Sequence, residues 1–171
     1  MINAPSIAII MGVSGAGKTT VGKALAERLD WLFADADDFH PEANVQKMAG
    51  GQPLNDQDRA PWLAKLREVM DEHMAQQKPL VLTCSALKRA YRKTLGSDRP
   101  EVLLVHLDGT FDLLLQRMQG RKDHFMPASQ LKNQLATLEV PTEKEALIVS
   151  IDQPLDEMID AIVPHLNASE A

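Results

Sequence analysis

The sequence predicts an α/β protein in which helices cover both faces of a parallel β-sheet. Short, almost wholly apolar segments, typical of strands buried on both faces, alternate along the chain with stretches whose apolar residues recur every three or four positions. Such alternation is typical of strand–helix–strand units with right-handed crossovers. The 171 residues, 44% of them hydrophobic, are predicted to form a single domain, residues 1–171, with a core of its own.

The first strand is predicted over residues 7–11 and leads into a glycine-rich loop. The loop is Gly12-Val13-Ser14-Gly15-Ala16-Gly17-Lys18-Thr19, and it matches the pattern G-x-x-x-x-G-K-[ST] in full. Val21, Leu25 and Leu29 predict a helix directly after it, which is the context that this motif requires. Glycines let backbone N–H groups surround phosphate oxygens, and a helix N-terminus adds partial positive charge. The flanking strand and helix disfavour the alternative, an ordinary glycine-rich turn.

The second strand, predicted over residues 31–34, ends at an acidic group. Asp35 and Asp37 are two residues apart, so their side chains point the same way on an extended chain. Ligands of open α/β sheets bind beyond the carboxyl ends of the strands, where this pair lies. One carboxylate would orient Mg²⁺ through water, and the other would accept a proton from a substrate hydroxyl. A solvated acidic turn is the alternative, and the neighbouring phosphate loop favours the functional interpretation.

Basic residues gather around the third strand, predicted over residues 80–83. Lys88 and Arg92 follow it four positions apart, so they share one helix face near the carboxyl end of the strand. Arg59 lies just before a helix predicted from the apolar stripe of residues 62–73, and its planar fork suits a carboxylate. Cations converging there would bind an anionic substrate. The alternative is a solvated helix face, the usual fate of a charge run.

The remaining elements follow the same alternation. Strands are predicted over residues 102–107 and 146–151, and the helices that follow them over residues 111–118 and 155–166. Arg117 lies at the end of the first of these helices, and Arg121, four residues later, enters the polar stretch that follows. An arginine on a mobile lid can neutralise a transferring phosphoryl group, and the helix macrodipole explains cations at this position equally well. Two polar stretches, about residues 38–60 and 119–145, predict a substrate-binding insertion and a lid.

Composition excludes several classes of protein. The net charge of −6 and the pI of about 5.3 argue against a nucleic-acid partner, which would need a basic face. The single cysteine, Cys84, excludes an intramolecular disulfide and is predicted to be a small buried residue at a strand end. No apolar run approaches the roughly 18 residues that span a bilayer, and residues 1–5 lack a positive leader region. A cytoplasmic protein without a membrane partner is expected.

Together these motifs resemble the gluconate kinases (gluconokinases), relatives of shikimate kinase among the nucleoside-monophosphate-kinase-like P-loop proteins. The phosphate loop is generic, whereas P-L-N-D-x-D-R-x-P-W-L at residues 53–63 and C-S-A-L-K-x-x-Y-R at residues 84–92 are particular to gluconokinases. The resemblance runs from about residue 7 to about residue 165. Two small departures are Ala36, where glycine is frequent, and Met126, where an aromatic residue is common.

The resemblance implies a three-layer α/β/α P-loop kinase fold with a five-stranded parallel sheet and a mobile lid. The implied reaction joins ATP and D-gluconate to give ADP and 6-phospho-D-gluconate, feeding the pentose phosphate or Entner–Doudoroff routes, and a homodimer is implied as well. It assigns ATP binding to Gly12, Val13, Ser14, Gly15, Ala16, Gly17, Lys18, Thr19, Thr20, Arg117, Gln153 and Pro154. It assigns substrate binding to Asp37, His40, Arg59, Ser85, Lys88, Arg92 and His124. Catalysis falls to Lys18, Asp37 and Arg121, and Mg²⁺ to Thr19 and, through water, Asp35.

Other functions remain open alternatives at this point. Another small-molecule kinase of the group, acting on shikimate or a nucleotide, would share the phosphate loop. A GTPase-like switch would carry a guanine-reading [NT]-K-x-D motif, which the sequence lacks. A non-catalytic nucleotide sensor would need neither Asp37 nor the Lys88/Arg92 pair. The residues His40 and His124 could be simple hydrogen-bonding groups, and Trp62 an anchor for its helix instead of a stacking platform.

Overall fold

In the computed structural model, which describes residues 4–119 and 128–166, the chain forms a five-stranded parallel sheet. The strands are β1 (Ile7–Met11), β2 (Leu32–Asp35), β3 (Leu80–Thr83), β4 (Val102–Asp108) and β5 (Leu147–Ser150). They lie side by side in the order β2-β3-β1-β4-β5, and every neighbouring pair is parallel. The predicted fold class is therefore confirmed, and the predicted strands agree with the structure to within a residue at each end.

Helices connect successive strands. They are α1 (Lys18–Leu29), α2 (Glu42–Ala49), α3 (Asp56–Ala75), α4 (Arg89–Leu95), α5 (Phe111–Gln119), α6 (Ala128–Thr137) and α7 (Leu155–Ile162), with 3₁₀ turns at Ala36–Phe39 and Val163–His165. The apolar stripes of the sequence correspond to α1, α3, α5 and α7, and the basic run after β3 forms α4. None of the helices within the described residues has the length and apolar character needed to cross a membrane.

The core consists of two apolar layers, one on each face of the sheet. Along β1, Ala8 and Ile10 join the layer that contains buried residues of α1, α5, α6 and α7. Ile7, Ile9 and Met11 point the other way and join the layer formed with α3 and α4. This period of two, with both faces buried, explains why the strands are almost continuously apolar.

Two helices lie where the sequence pattern predicts only polar insertions. Within the described residues of each helix, α2 buries Asn44 alone and so carries no apolar stripe, whereas α6 buries Leu131 and partly buries Leu135 four residues later, a pair too short to mark a helix by periodicity. Helix α3 also begins six residues before Trp62, because Asn55 and Asp58 cap its first turn reciprocally, at 2.8 and 2.9 Å.

Candidate active site

The carboxyl ends of β1, β2 and β3 meet at one edge of the sheet, and the loops that follow them surround a cleft. In the strand register, Thr83 of β3 lies opposite both Asp35 of β2 and Ile10 of β1. A cavity of about 290 Å³ opens there, lined by Ser14, Gly15, Gly17, Lys18, Thr19, Asp35, Asp37, Thr83, Cys84, Ser85 and Gln134. The structure thus brings the phosphate loop, both predicted aspartates and Ser85 together at the edge where such sheets bind ligands.

The phosphate loop has the backbone geometry of an anion cradle. Gly15 and Gly17 have φ angles of 85° and 90°, a left-handed conformation that glycine adopts without steric cost. Lys18 begins α1, and its Nζ donates to the carbonyl oxygens of Gly12 at 2.9 Å and Val13 at 3.1 Å. The ammonium group and the first amides of α1 therefore lie at the same mouth of the loop, where they favour phosphate oxygens.

The two aspartates after β2 differ in their roles within the local fold. Asp35 Oδ1 accepts a hydrogen bond from the Asp37 backbone N–H at 2.9 Å and so caps the 3₁₀ turn. The side chain of Asp37 is 83% exposed toward the open cleft. Reduced solvation within the cleft, followed by the nearby Asp35 carboxylate, raises the pKa of Asp37, while His40 and Lys18 oppose the shift. A carboxylate with a raised pKa is suited to accept a proton.

The end of β3 contributes a group that sequence reasoning missed. Thr83 is buried, and its hydroxyl has no hydrogen-bond partner among the described residues although it lies in the lining of the cleft. Its placement opposite Asp35, readable only from the strand register, was the missing signal. The neighbouring Cys84 is a buried free thiol, as predicted, and burial raises its pKa to about 12. Cys84 is therefore a packing residue and not a nucleophile.

A buried tryptophan packs against the 3₁₀ turn that carries Asp37. Trp62 of α3 is buried, and its indole Nε1 donates to the Ala36 carbonyl at 2.7 Å. The His40 ring stacks on the indole with the ring centres 4.3 Å apart and the planes 14° apart. His40 Nε2 lies 3.8 Å from Asp37 Oδ1. Trp62 thus anchors its helix, as expected, and it also fixes His40 beside the predicted base.

Beyond His40, the predicted substrate cations gather around one tyrosine. Arg59 Nη1 donates a hydrogen bond to the Tyr91 hydroxyl at 3.1 Å. The cationic centres of Arg59 and Lys88 lie 5.5 and 5.6 Å from the centre of the Tyr91 ring. Asp56 Oδ1 accepts from the Tyr91 hydroxyl at 2.5 Å and lies 3.4 Å from Lys88 Nζ and 3.8 Å from Arg59 Nη1. The Tyr91 hydroxyl, followed by Lys88, lowers the pKa of Asp56. The cluster therefore already holds one carboxylate between two cations.

The predicted substrate role of Arg92 requires correction. Arg92 is 1% exposed and lies inside the protein. Its guanidinium donates to Glu145 Oε1 at 2.6 Å and to the carbonyl oxygens of Ala86, Leu87 and Glu139 at 2.9, 3.2 and 2.9 Å. Helical spacing alone placed it beside Lys88, but Lys88 precedes the first residue of α4, so the two cations do not share a helix face. Arg92 joins the loop after β3 to the segment between α6 and β5.

A second cavity, of about 310 Å³, lies on the other side of the phosphate loop. Its lining consists of Gly15, Ala16, Gly17, Thr20, Val21, Arg117, Gln153, Leu155 and Met158. Arg117 Nη2 donates to the Ile151 carbonyl at 2.5 Å, and Gln153 Nε2 donates to the Ser150 carbonyl at 2.7 Å. Pro154 precedes α7 directly after Gln153. Two predicted ATP residues outside the loop, Arg117 and Gln153, therefore lie beside it, next to apolar side chains that could cover a base.

Helix α6 supplies a further contact to the phosphate loop. Gln134 Oε1 accepts from the Ser14 backbone N–H at 2.7 Å, and Gln134 Nε2 donates to Ser14 Oγ at 3.0 Å. Sequence reasoning missed Gln134, because no local pattern marks it. The predicted lid residues Arg121 and His124 lie outside the described residues. A larger cavity, of about 510 Å³, lies at the opposite edge of the sheet near Val102 and Leu147, away from the loop.

The sequence matches known proteins over most of its length. The profile of a family described as shikimate kinase matches residues 14–163. The gluconokinase of Gluconobacter oxydans is 48% identical over 167 residues, which cover 97% of this chain and 94% of that protein. The thermoresistant gluconokinase of Escherichia coli is 40% identical over 92% of this chain and 91% of its own length.

Solved structures share the architecture. A gluconokinase from Sinorhizobium meliloti superposes with a TM-score of 0.82 at 41% identity and covers 98% of this chain and 94% of its own. The shikimate kinase of Aquifex aeolicus superposes with a TM-score of 0.59 over 96% of this chain and 98% of its own. Its identity is 21%, so this second likeness shows the fold alone.

Proposed function

The chain belongs to the shikimate kinase family and, within it, to the gluconokinases, and on that premise we propose how its cleft works. It is an ATP-dependent sugar-acid kinase that transfers the γ-phosphate of ATP to the 6-hydroxyl of D-gluconate. The O6–H bond breaks and an O6–P bond forms as the γ-phosphorus leaves the β–γ bridging oxygen, giving 6-phospho-D-gluconate and ADP. The remaining question is which residues of this cleft carry each step.

The observation that carries the proposal is the order of groups along the cleft. Asp37 lines the cavity together with the phosphate loop, His40 Nε2 lies 3.8 Å from Asp37 Oδ1, and Arg59, which shares Asp56 with Lys88, is close enough to His40 to contribute to the lowering of its pKa. This order fits a linear acceptor with a hydroxyl at one end and a carboxylate at the other. The hydroxyl would face Asp37, and the carboxylate would face the cations. Ser85, in the cleft lining, would contact the hydroxyls between them.

At the phosphate end, Lys18 and the amides of residues 12–20 would hold the phosphates of ATP. Arg117, Gln153 and Pro154 would flank the adenine base beside the apolar residues of the second cavity. Phosphoryl transfer has a loose transition state that needs positioning and charge neutralisation more than covalent help. Arg121 would add positive charge from the lid, and His124 would contact the acceptor, although both lie outside the described residues.

The residues of the cleft fit a magnesium ion. Thr19, Asp35 and the unpartnered Thr83 hydroxyl are hard oxygen groups at the phosphate end. Among the described residues, no cluster of three or more His, Cys, Asp or Glu forms a complete metal cage. That suits Mg²⁺, which keeps several waters and binds through one or two protein oxygens and the substrate phosphates. Bound there by Thr19 and, through water, Asp35, it would neutralise charge developing on the phosphates.

Asp37 would accept the proton of the 6-hydroxyl. Its carboxylate is open to the cleft, and the raised pKa makes it a better base than an ordinary aspartate. On the family resemblance, we further propose that the protein is a homodimer. We place the reaction in the cytoplasm, where ATP is made and consumed.

An acceptor panel tests the proposal. The purified protein is incubated with ATP, Mg²⁺ and, separately, D-gluconate, shikimate and a nucleoside monophosphate, with ADP release as the readout and ³¹P NMR to locate the new phosphate. We expect turnover with D-gluconate only, and a phosphate on O6. Transfer to shikimate or to the nucleotide alone would overturn the proposal, as would ATP binding without any turnover, which would indicate a sensor. Light scattering on the same sample tests the homodimer.

A further inference from the structure

One buried amide in α2 connects the acceptor side of the cleft to α3. Asn44 is 4% exposed, and its side-chain nitrogen donates to the main-chain carbonyl of Asp58 at 2.9 Å. The same nitrogen lies 3.3 Å from Nδ1 of His40. Asn44 is the residue that α2 buries, so the inward-facing position of this helix is occupied by a polar side chain and not by an apolar one. Such a buried amide needs partners for its hydrogens.

These contacts determine which atom of the imidazole carries the proton. A carbonyl oxygen only accepts hydrogen bonds, so the atom of Asn44 that faces Asp58 must be the NH₂ group. The second hydrogen of that NH₂ points to His40 Nδ1, which must therefore be an acceptor. Because a neutral imidazole has one N–H, the proton resides on Nε2. The opposite tautomer would set two donors against each other inside the protein.

The Nε2 side of the ring faces the predicted base. Nε2 lies 3.8 Å from Asp37 Oδ1, and stacking on Trp62 fixes the plane of the ring. The His40 side chain is 6% exposed. Burial is the main cause that lowers the pKa of His40, with Arg59 adding to it and Asp37 opposing it, so the ring is neutral at neutral pH. Within the part of the chain that the structure describes, Asp37, Arg59 and the Asn44 amide are the polar groups placed against the ring, and Trp62 covers one of its faces.

We propose that Asn44 is a positioning residue that keeps the His40 proton on Nε2, so that His40 donates a hydrogen bond to one oxygen of Asp37. The other oxygen then stays free to take the proton of the acceptor hydroxyl. This proposal rests on the proposed function, in which Asp37 is the base. The distance of 3.8 Å closes to a hydrogen bond when the acceptor binds, since catalytic hydrogen bonds are often long in unliganded sites. His40 is on this view a donor and never a base.

Nitrogen NMR of the full-length protein tests the tautomer directly. The chain has five histidines, and His40→Gln identifies the His40 signals in protein labelled with ¹⁵N-histidine. We expect Nδ1 to resonate as an unprotonated nitrogen and Nε2 as a protonated one. In Asn44→Asp, whose carboxylate has the same shape but only accepts, Nδ1 should become protonated, either in the Nδ1–H tautomer or in an imidazolium with both nitrogens protonated. A wild-type ring protonated on Nδ1, or a ring unchanged in Asn44→Asp, would overturn the inference.

Kinetics test the consequence for the base. We expect Asn44→Leu to lower kcat by about tenfold, the scale of a hydrogen bond to a charged group, with KM for ATP within about twofold of wild type. His40→Gln, whose amide N–H reaches near the Nε2 position, should retain most of the activity that His40→Leu loses. Gln46→Leu is the matched control, because Gln46 is exposed on α2 and its side-chain amide donates to the exposed Glu42 of the same helix. Equal losses in His40→Gln and His40→Leu would contradict the donor role.

The two proposals fail separately. The NMR experiment needs no turnover, so a chain that phosphorylates no gluconate could still show the Nε2–H tautomer and its dependence on Asn44. Conversely, normal gluconate kinase activity with His40 protonated on Nδ1 would leave the proposed function intact and overturn the role of Asn44. If Asn44→Leu does not fold, the wild-type tautomer and the His40→Gln/His40→Leu pair still decide the question.

Discussion

The nucleotide side and the acceptor side of the cleft are built in different ways. The phosphate loop is one contiguous segment, residues 12–19, whose backbone makes the site through positive φ angles and the N-terminus of α1. The acceptor side is assembled from side chains of three separate segments, with His40 held by α2 and α3 and the Arg59/Lys88 pair held around Tyr91. A backbone site tolerates changes of side chain, whereas the acceptor side depends on each contact.

Two cations near the acceptor side, Lys88 and Arg92, differ in burial and therefore in what they can bind. Lys88 is 37% exposed and shares an exposed carboxylate, Asp56, with Arg59, so a ligand carboxylate can compete for both cations. Arg92 is 1% exposed, and its guanidinium donates hydrogen bonds to Glu145 and to three carbonyl oxygens. Burial, and not proximity in sequence, decides which cation can serve a substrate. The variants below test this difference and the one between the two sides of the cleft.

The largest effect is expected for the proton acceptor. Asp37→Asn should lower kcat by about 10²- to 10⁴-fold, the range of a general-base contribution, with little change in ATP affinity. In the wild type, a group with a raised pKa is active in its ionised form above that pKa, so kcat/KM should fall with decreasing pH along a limb that lies above the ordinary aspartate value of 3.8. Steady-state kinetics from pH 4 upward, and ATP titration by calorimetry, measure both.

Asp38→Asn is the matched control for this variant. Asp38 is the adjacent carboxylate, is exposed, and does not line the cleft. We expect Asp38→Asn to keep near-normal kcat. Near-normal turnover in Asp37→Asn, or equal losses in the two variants, would exclude Asp37 as the base and reduce the acidic turn to a solvated loop.

A large effect on stability, but not on substrate affinity, is expected for Arg92. Arg92→Met removes one partner of a buried ion pair and should lower the free energy of unfolding by about 3–5 kcal/mol. Urea unfolding followed by circular dichroism measures it, and KM for gluconate of the folded fraction should stay within about twofold of wild type, since the guanidinium does not face the cleft. Arg89→Met, on the exposed face of α4, should leave stability unchanged within about 0.5 kcal/mol. A raised KM with unaltered stability would restore Arg92 to the substrate site.

Lys88 should show the reverse pattern. Lys88→Met keeps the aliphatic stem but removes the charge, so we expect KM for gluconate to rise about tenfold, the scale of one charge-assisted hydrogen bond, with a small effect on stability. Lys93→Met is the control, because Lys93 is exposed on α4 and lies outside the cleft lining. An unchanged KM in Lys88→Met would remove Lys88 from the substrate site and leave Arg59 to bind the carboxylate.

The parts of this molecule that the sequence could predict are those with a local signal. The strands are apolar runs, buried on both faces in β1 and β3, and the phosphate loop is a run of eight residues whose flanking strand and helix are equally visible in the sequence. Asp35 and Asp37 could be found because strand ends mark the ligand edge of such a sheet. The assignment to gluconate depends on longer family runs, and neither charge nor spacing could supply it.

The residues that were missed or misassigned depend on partners far along the chain. The role of Arg92 is decided by Glu145, which lies 53 positions away, and that of Gln134 by Ser14, which lies 120 positions away. Asn44 stands in a helix without an apolar stripe, and its function follows from a carbonyl in α3. No periodicity encodes these contacts, because each arises only when the crossovers pack.

The smallest effect is expected where α6 meets the phosphate loop. Gln134 bridges the Ser14 amide and hydroxyl, which keeps that turn of the loop in place, so Gln134→Leu should raise KM for ATP by about threefold, within the net value of one hydrogen bond, and leave KM for gluconate unchanged. Gln130→Leu on the exposed face of α6 is the control and should have no effect. Tighter ATP binding in Gln134→Leu would show instead that the glutamine competes with phosphate for the Ser14 N–H. In that case ATP binding by the phosphate loop would depend on a distant side chain, just as acceptor binding does. The nucleotide side would then no longer differ from the acceptor side as a site formed by the backbone alone.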